Sequence, residues 1–407
     1  MMDTTIKKPE LLAPAGNWGM MNAAINAGAD AVYFGLKSLN MRAAANNFDL
    51  NNLQQVIDHC REHNVKAHLT LNTIVFEDEL DELDKMVFSA KTCGIDMVIC
   101  WDFSVINKCV EYSVPFCIST QASVSNSGSV KFFEGLGAKR IVLARECTLD
   151  KIRDIKKKSS IEIETFVHGA MCVALSGRCF MSHEVFGKSA NRGECIQPCR
   201  REYRIIDNDE KFSLELGQDY VLSPKDLCSI EFIDKLIESG IDAFKIEGRK
   251  RSPEYISKVV AVYRDAIDSY FDDTLTEQKK SRYIEELGKV YNRGFSSGFY
   301  FGKPGSDGFT STYGSQATSR KVYLGRVLNY YKKSGVAHIR LEAETLSSGD
   351  SLYIIGSTTG VVEITLDRLK YDEKEFEQVV KGDEITFKCA DKIRVNDQVY
   401  KIVSTEE

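Results

Sequence analysis

Five cysteines fall close together along the chain. Cys172, Cys179, Cys195 and Cys199 lie within one stretch, and Cys228 follows in Ser223-Pro224-Lys225-Asp226-Leu227-Cys228. Gathered thiolates are soft anionic ligands that hold either zinc or an iron-sulfur cluster. A structural zinc ribbon supplies two closely spaced cysteine pairs, whereas only Cys195 and Cys199 are close here, so the spacing favours iron-sulfur. Cys172, Cys179 and Cys195 form the core of the expected ligand set. The fourth ligand is open between Cys199 and Cys228, with a lean to Cys228, because a ligand from a separate loop would tie this segment to the rest of the fold. His168 precedes Cys172 by four residues and His183 lies between the cysteine pairs, so a Cys-His nucleophile is conceivable. His168 reads equally well as a hydrogen-bonded strand-end residue. No H-E-x-x-H zinc-protease motif is present. Arg192 and Arg200 carry bidentate forks suited to a small dicarboxylate or an RNA phosphate. Glu247 and Arg249 could bind a small anion or orient a base, or could simply pair with each other.

Elements that would position these groups are legible. Short β-branched or aromatic runs recur at Leu11 to Ala13, Ala31 to Phe34, Ala67 to Leu71, Met97 to Cys100, Phe116 to Ser119, Arg140 to Leu143, Ile161 to Phe166 and Ala243 to Ile246. Each is followed by a helical stretch, and three are preceded by Gly28-Ala29-Asp30, Gly94-Ile95-Asp96 or Gly240-Ile241-Asp242 turns. Eight such units within about 250 residues predict an α/β fold of the (β/α)8-barrel type. Residues 169–223 are too long for a βα loop and read as a cysteine-bearing insertion after the seventh strand, on the face where such barrels carry their sites. Glu247 and Arg249 would end the eighth strand. Asn72, Gln121, Ser123, Arg145 and Glu146 would follow the third, fifth and sixth. Residues 1–305 are assigned to the barrel domain and 306–321 to a linker. Residues 322–407, with alternating runs and Gly-Asp turns, are assigned to a small C-terminal all-β barrel.

Bulk properties narrow the class. A chain of 407 residues with 43% hydrophobic content is long enough for two packed cores. No apolar run approaches the roughly 20 residues of a membrane span and no leader pattern is visible, so a cytoplasmic protein without a membrane partner is expected. Nothing in the composition sets the oligomeric state. Seven of the twelve cysteines, Cys60, Cys93, Cys100, Cys109, Cys117, Cys147 and Cys389, are scattered among apolar positions as small hydrophobes. The net charge of −6 gives no global pull on a polyanion. Any RNA contact must be local, with runs at Lys156 to Lys158, at Arg200, Arg201 and Arg204, and at Arg249 to Arg251 as candidates.

Glu164, Phe166, Gly169, Ala170, Met171, Cys172, Gly177, Cys179, Met181 and Ser182 together match the signature of the collagenase-like peptidases, peptidase family U32. The segments LAPAG, GADAVYFG, NRGEC, SPKDL, FKIEGR and NRGF also resemble that family, so the likeness covers residues 9–305. The resemblance implies an enzyme that hydroxylates RNA, forming 5-hydroxyuridine at the tRNA wobble position. It further implies an iron-sulfur cluster, read as 4Fe-4S, and dependence on the dicarboxylate prephenate. The alternatives are a collagenase-like peptidase, as the family name says, and a translation-linked RNA-binding protein whose cluster is structural.

Overall fold

The computed structural model describes residues 6–41, 47–174, 178–201, 222–248, 250–312, 314–371 and 374–405; Arg204 and Arg249 lie outside the described residues. Seven parallel strands come first: β1 (Glu10–Pro14), β2 (Ala31–Gly35), β3 (Lys66–Leu71), β4 (Met97–Cys100), β5 (Phe116–Ile118), β6 (Arg140–Val142) and β7 (Glu162–Gly169). After β8 (Asp226–Cys228), β9 (Ala243–Ile246) pairs in parallel with both β7 and β1 and closes the ring. The eight-stranded α/β barrel expected from the sequence is therefore the observed fold. Strands such as Met97–Cys100 are buried at every residue, which is why they read as continuous apolar runs rather than alternating ones.

Helices α1 (Trp18–Asn26), α2 (Leu53–Glu62), α3 (Leu80–Cys93), α4 (Phe103–Glu111), α5 (Ser127–Gly135) and α6 (Leu149–Lys157) alternate with the strands. The insertion carries α7 (Met181–Phe186). Helices α8 (Ile233–Glu238), α9 (Pro253–Phe271) and α10 (Glu277–Gly288) complete the shell. The Gly-x-Asp turns have a common physical basis. Gly28, Gly94 and Gly240 take positive φ where the chain leaves a helix. Two residues later, the carboxylates of Asp30, Asp96 and Asp242 accept the backbone N–H of Leu11, Ala67 and Ile163 at 2.8, 2.7 and 2.7 Å. Each turn thus ends one helix and fixes a neighbouring strand.

One strand was not foreseen. The Ser-Pro-Lys-Asp-Leu-Cys segment, expected to be a loop, contains β8, which runs antiparallel to the end of β7 with His168 opposite Cys228. The short β10 (Phe295–Ser296) then pairs with β8.

The C-terminal strands are β11 (Ser319–Tyr331), β12 (Val336–Leu341), β13 (Leu346–Ser347), β14 (Ser351–Gly356), β15 (Gly360–Thr365), β16 (Leu369–Tyr371), β17 (Lys374–Phe376), β18 (Gln378–Val379), β19 (Glu384–Lys388) and β20 (Gln398–Ser404). The first of these begins inside the stretch read as linker. Eight form one antiparallel sheet in the order β15-β14-β20-β11-β12-β19-β16-β17. Strands from β15, with Val362, to β16, with Leu369, feed one core, so the sheet curls around it. Among the described residues β15 and β17 form the two edges of this sheet. The sheet docks on α1. Asn22 and Asn26 donate to the carbonyls of Ser357 and Thr359 at 2.8 and 3.1 Å. Gly360 has φ +72, and a side chain there would sit 2.8 Å from the Ala23 nitrogen, so only glycine allows this approach. No helix among the described residues is long and apolar enough to cross a membrane.

Candidate functional site

The barrel interior is charged along its axis. On the floor of the mouth, Lys245 of β9 is buried with Nζ 2.8 Å from Oε1 of the fully buried Glu164 of β7 and 4.6 Å from the Tyr33 ring centre. Below it, Arg140 lies 3.2 Å from Glu164 and 2.7 Å from Glu10, and 2.6 Å from Glu162. Burial would raise the carboxyl of Glu10, but the hydrogen bond and charge of Arg140 win and hold it at about 2. Burial likewise opposes ionisation of Glu164, and Lys245 and Arg140 outweigh it. The sequence did signal this column, as single charged residues at inward positions of otherwise apolar strands, but the charges were not paired across strands.

Two histidines are buried without charge. Burial lowers His68 to about 4 and His168 to about 3. Each therefore stays neutral in the fold while the unfolded chain takes up a proton below about pH 6.5. Stability from these sites is complete above pH 6.5 and is lost as pH falls towards 4 for His68 and 3 for His168, on the order of 4 kcal/mol each. Denaturant unfolding followed from pH 7.5 to pH 4.5 should show the midpoint falling below pH 6.5. A midpoint flat over that range would contradict the burial of neutral rings.

Above the floor lies a pocket of about 460 Å³, inside the range of small-ligand sites. Strand ends supply Asn72, Ser119, Gln121, Arg145 and Glu247 to its wall, and Arg251 and Lys250 come from the loop after β9. Arg145 donates to the Ala170 carbonyl at 2.7 Å and stacks 4.2 Å from the Phe166 ring centre, with its buried Nε unpaired. Arg251 lies 3.8 Å over Tyr291 and 3.7 Å from Asp226. Glu247 is fixed through its backbone. Its N–H donates to the His168 carbonyl at 2.9 Å, and Gly169, at φ +105, would place any side chain 2.7 Å from the Glu247 carbonyl oxygen.

The roof is the insertion. Cys172, Cys179, Cys195 and Cys199 all line the same pocket. Asn191 holds the loop by accepting from Cys179 N at 3.2 Å and, through its carbonyl, from Thr73 Oγ1 at 2.7 Å. Burial pushes the Cys199 thiol to about 11; Arg200 lowers it, and the nearby Cys172, Cys195 and Cys179 raise it again. No three of these sulfurs lie within 4.8 Å of one another among the described residues. A tetrahedral zinc with sulfur at about 2.3 Å would draw them to roughly 3.8 Å. The four thiols that line this cavity are therefore not gathered as a closed zinc site would hold them.

Several expectations need correction. Cys228 does not face the pocket: it is a β8 core residue with its sulfur 4.0 Å from the Tyr263 hydroxyl, and burial pushes it to about 11. The regular pairing of β8 with β7 turns its side chain into the barrel wall, whereas Cys199 lines the pocket. His168, read as a catalytic candidate, packs among Tyr255, Tyr263 and Phe295, its Nδ1 3.4 Å from the Tyr263 hydroxyl, and does not reach the pocket. Arg192 is also outside the pocket, its fork filled by Glu79 and its ring-facing side 4.7 Å over Phe76. Arg200 lines the pocket but donates to the carbonyls of Pro224, at 2.9 Å, and Met171, so it chiefly clamps the insertion to the barrel. Arg249 lies outside the described residues. His183 is exposed and lines no part of the pocket. All twelve cysteines are free thiols.

A thiol-lined, cation-rimmed pocket at the C-terminal mouth of a parallel barrel defines a (β/α)8-barrel enzyme. The sequence pattern of Peptidase family U32 matches residues 16–309, and the chain belongs to that family. It is 38% identical to a protein named collagenase from Porphyromonas gingivalis, covering 98% of this chain and 99% of that one. It is 36% identical to tRNA hydroxylation protein P1 of Bacillus subtilis, covering 86% of this chain and 84% of that one. It is also 30% identical to the 23S rRNA 5-hydroxycytidine C2501 synthase of Escherichia coli, covering 87% of this chain and 53% of that one.

Proposed function

We propose that the chain hydroxylates an RNA base, forming 5-hydroxyuridine at the wobble position of tRNA with prephenate as co-substrate. An iron-sulfur cluster on Cys172, Cys179, Cys195 and Cys199 would supply redox and Lewis-acid chemistry at the roof of the pocket. The observation that carries this reading is the placement of four thiols from one insertion over a pocket whose charged lining is Lys245, Arg145, Arg200, Lys250 and Arg251 against Glu247. Such an excess of cations suits a dicarboxylate, with the clamp at Lys245, Arg145 and Arg251 rather than at Arg192. Asn72 and Gln121 offer amide groups to the edge of an extruded base, and Tyr33 and Phe166 offer ring faces. A peptidase reading gains nothing from this site, because no histidine lines the pocket beside the thiols among the described residues. Nucleoside mass spectrometry of tRNA incubated with the anaerobically purified chain tests the reading. With a two-electron oxygen donor such as dioxygen supplied, uridine should gain one oxygen only when prephenate is also added, and release of peptide fragments with no change in tRNA would overturn it.

RNA would meet the pocket at its rim, where arginines stack on aromatic rings. Arg178 lies 4.7 Å over Trp101 and Arg201 4.9 Å over Phe186, and Phe180 is 72% exposed. Bases stack on such platforms while guanidinium groups neutralise phosphate. Replacing Arg178 and Arg201 together with Ala should weaken tRNA binding about tenfold at low salt and flatten its salt dependence. Filter binding across a salt series checks this, and unchanged affinity and slope would exclude the rim.

A further inference from the structure

The end of α2 reads His59-Cys60-Arg61-Glu62-His63, a spacing that places both imidazoles and the carboxylate on one edge of the helix. A nitrogen of each ring and an oxygen of Glu62 lie within 4.8 Å of one another, the one such trio among the described residues. The ring centres are 4.6 Å apart. Their hydrogens are assigned by the neighbours. Asn22 donates its amide hydrogens to the carbonyls of Trp18 and Ser357 at 3.1 and 2.8 Å. Its Oδ1, 2.8 Å from Nε2 of His59, can therefore only accept. Nε2 of His59 carries the hydrogen and Nδ1 keeps its lone pair. Nδ1 of His63 lies 2.8 Å from the carbonyl oxygen of His59, also an acceptor, which leaves Nε2 of His63 as the basic nitrogen. An imidazole anchored through one N–H to an oxygen, with its other nitrogen basic, is the arrangement metal-binding histidines use.

We propose that His59, Glu62 and His63 bind one borderline divalent transition-metal ion of the zinc, cobalt or nickel class, at a site separate from the thiol-lined pocket. Two imidazole nitrogens and one carboxylate oxygen form a three-ligand set suited to such ions, with water completing the coordination. The H-x-x-E-H pattern is shared with inverted zinc proteases, but none of the three residues lines the barrel-mouth pocket, so the site lies apart from it. It lies at the seam between the domains, since the Asn22 that orients His59 is itself bound to Ser357 of the C-terminal sheet. Because only the folded chain arranges the three ligands, the ion should also stabilise the fold.

Calorimetric titration of zinc chloride into the full chain tests this in wild type, His63→Gln, Glu62→Gln and Cys172→Ser. Glu62 and His63 are exposed, and matching melting curves without metal would show that the variants fold as wild type does. One zinc equivalent should persist in Cys172→Ser, weaken at least tenfold in His63→Gln and weaken by less in Glu62→Gln. Cobalt at this site should lack the thiolate charge-transfer absorption that a cysteine site gives. Wild-type affinity in His63→Gln, or loss of the equivalent in Cys172→Ser alone, would overturn the proposal.

Discussion

Alanine at Cys172, Cys179, Cys195 or Cys199 is expected to remove most iron and acid-labile sulfide from anaerobically purified protein, whereas alanine at Cys228 leaves both in place. Only the first four thiols face the barrel-mouth pocket, and each would be one of four anionic ligands. Cys228 is held in the β8 ladder with Tyr263 beside it, so its loss opens a small core cavity at a cost on the order of 1 kcal/mol. Iron and sulfide assays on the five variants decide the matter. Loss of iron in Cys228→Ala with retention in Cys199→Ala would reverse the ligand assignment, and stoichiometric zinc without iron in wild type would reject the cluster.

Lys245→Met should abolish activity and destabilise the fold by about 3 kcal/mol, the lower end for breaking a buried ion pair. The change strips Glu164 of its 2.8 Å partner but leaves Arg140 at 3.2 Å, shared with Glu10 and Glu162. Adding Glu164→Gln removes the stranded charge, so the double variant should regain much of the stability. Activity should not return, because the cation under the pocket is still missing. Unfolding and turnover measured on the same three proteins separate the roles. Activity recovered together with stability would make Lys245 purely structural.

The barrel was legible because its strands are buried on both faces and its Gly-x-Asp turns recur, so strand count and order followed from local patterns. That four cysteines of one insertion gather at the barrel mouth was legible from their spacing along the chain. The place of Cys228 was not. Placing Cys228 outside the pocket required knowing that Asp226–Cys228 is a strand, and three residues after a Pro-Lys pair carry no periodicity that would reveal it. The arginines failed for a related reason. Arg192 and Arg200 have the side chains an anion needs, but Glu79 and two backbone carbonyls already hold them, and such partners come from distant parts of the chain. Lys245 was overlooked because a lysine inside Ala243–Ile246 looks like an interruption until Glu164 is seen opposite it.

The central claim is that this chain hydroxylates tRNA through the four-thiol pocket, and nucleoside mass spectrometry of tRNA from cells lacking the gene tests it most directly. Wobble 5-hydroxyuridine should disappear on deletion, return with the wild-type chain and with Cys228→Ala, and stay absent with Cys199→Ala at equal protein level. An unchanged 5-hydroxyuridine level on deletion, or full restoration by Cys199→Ala, would contradict the account.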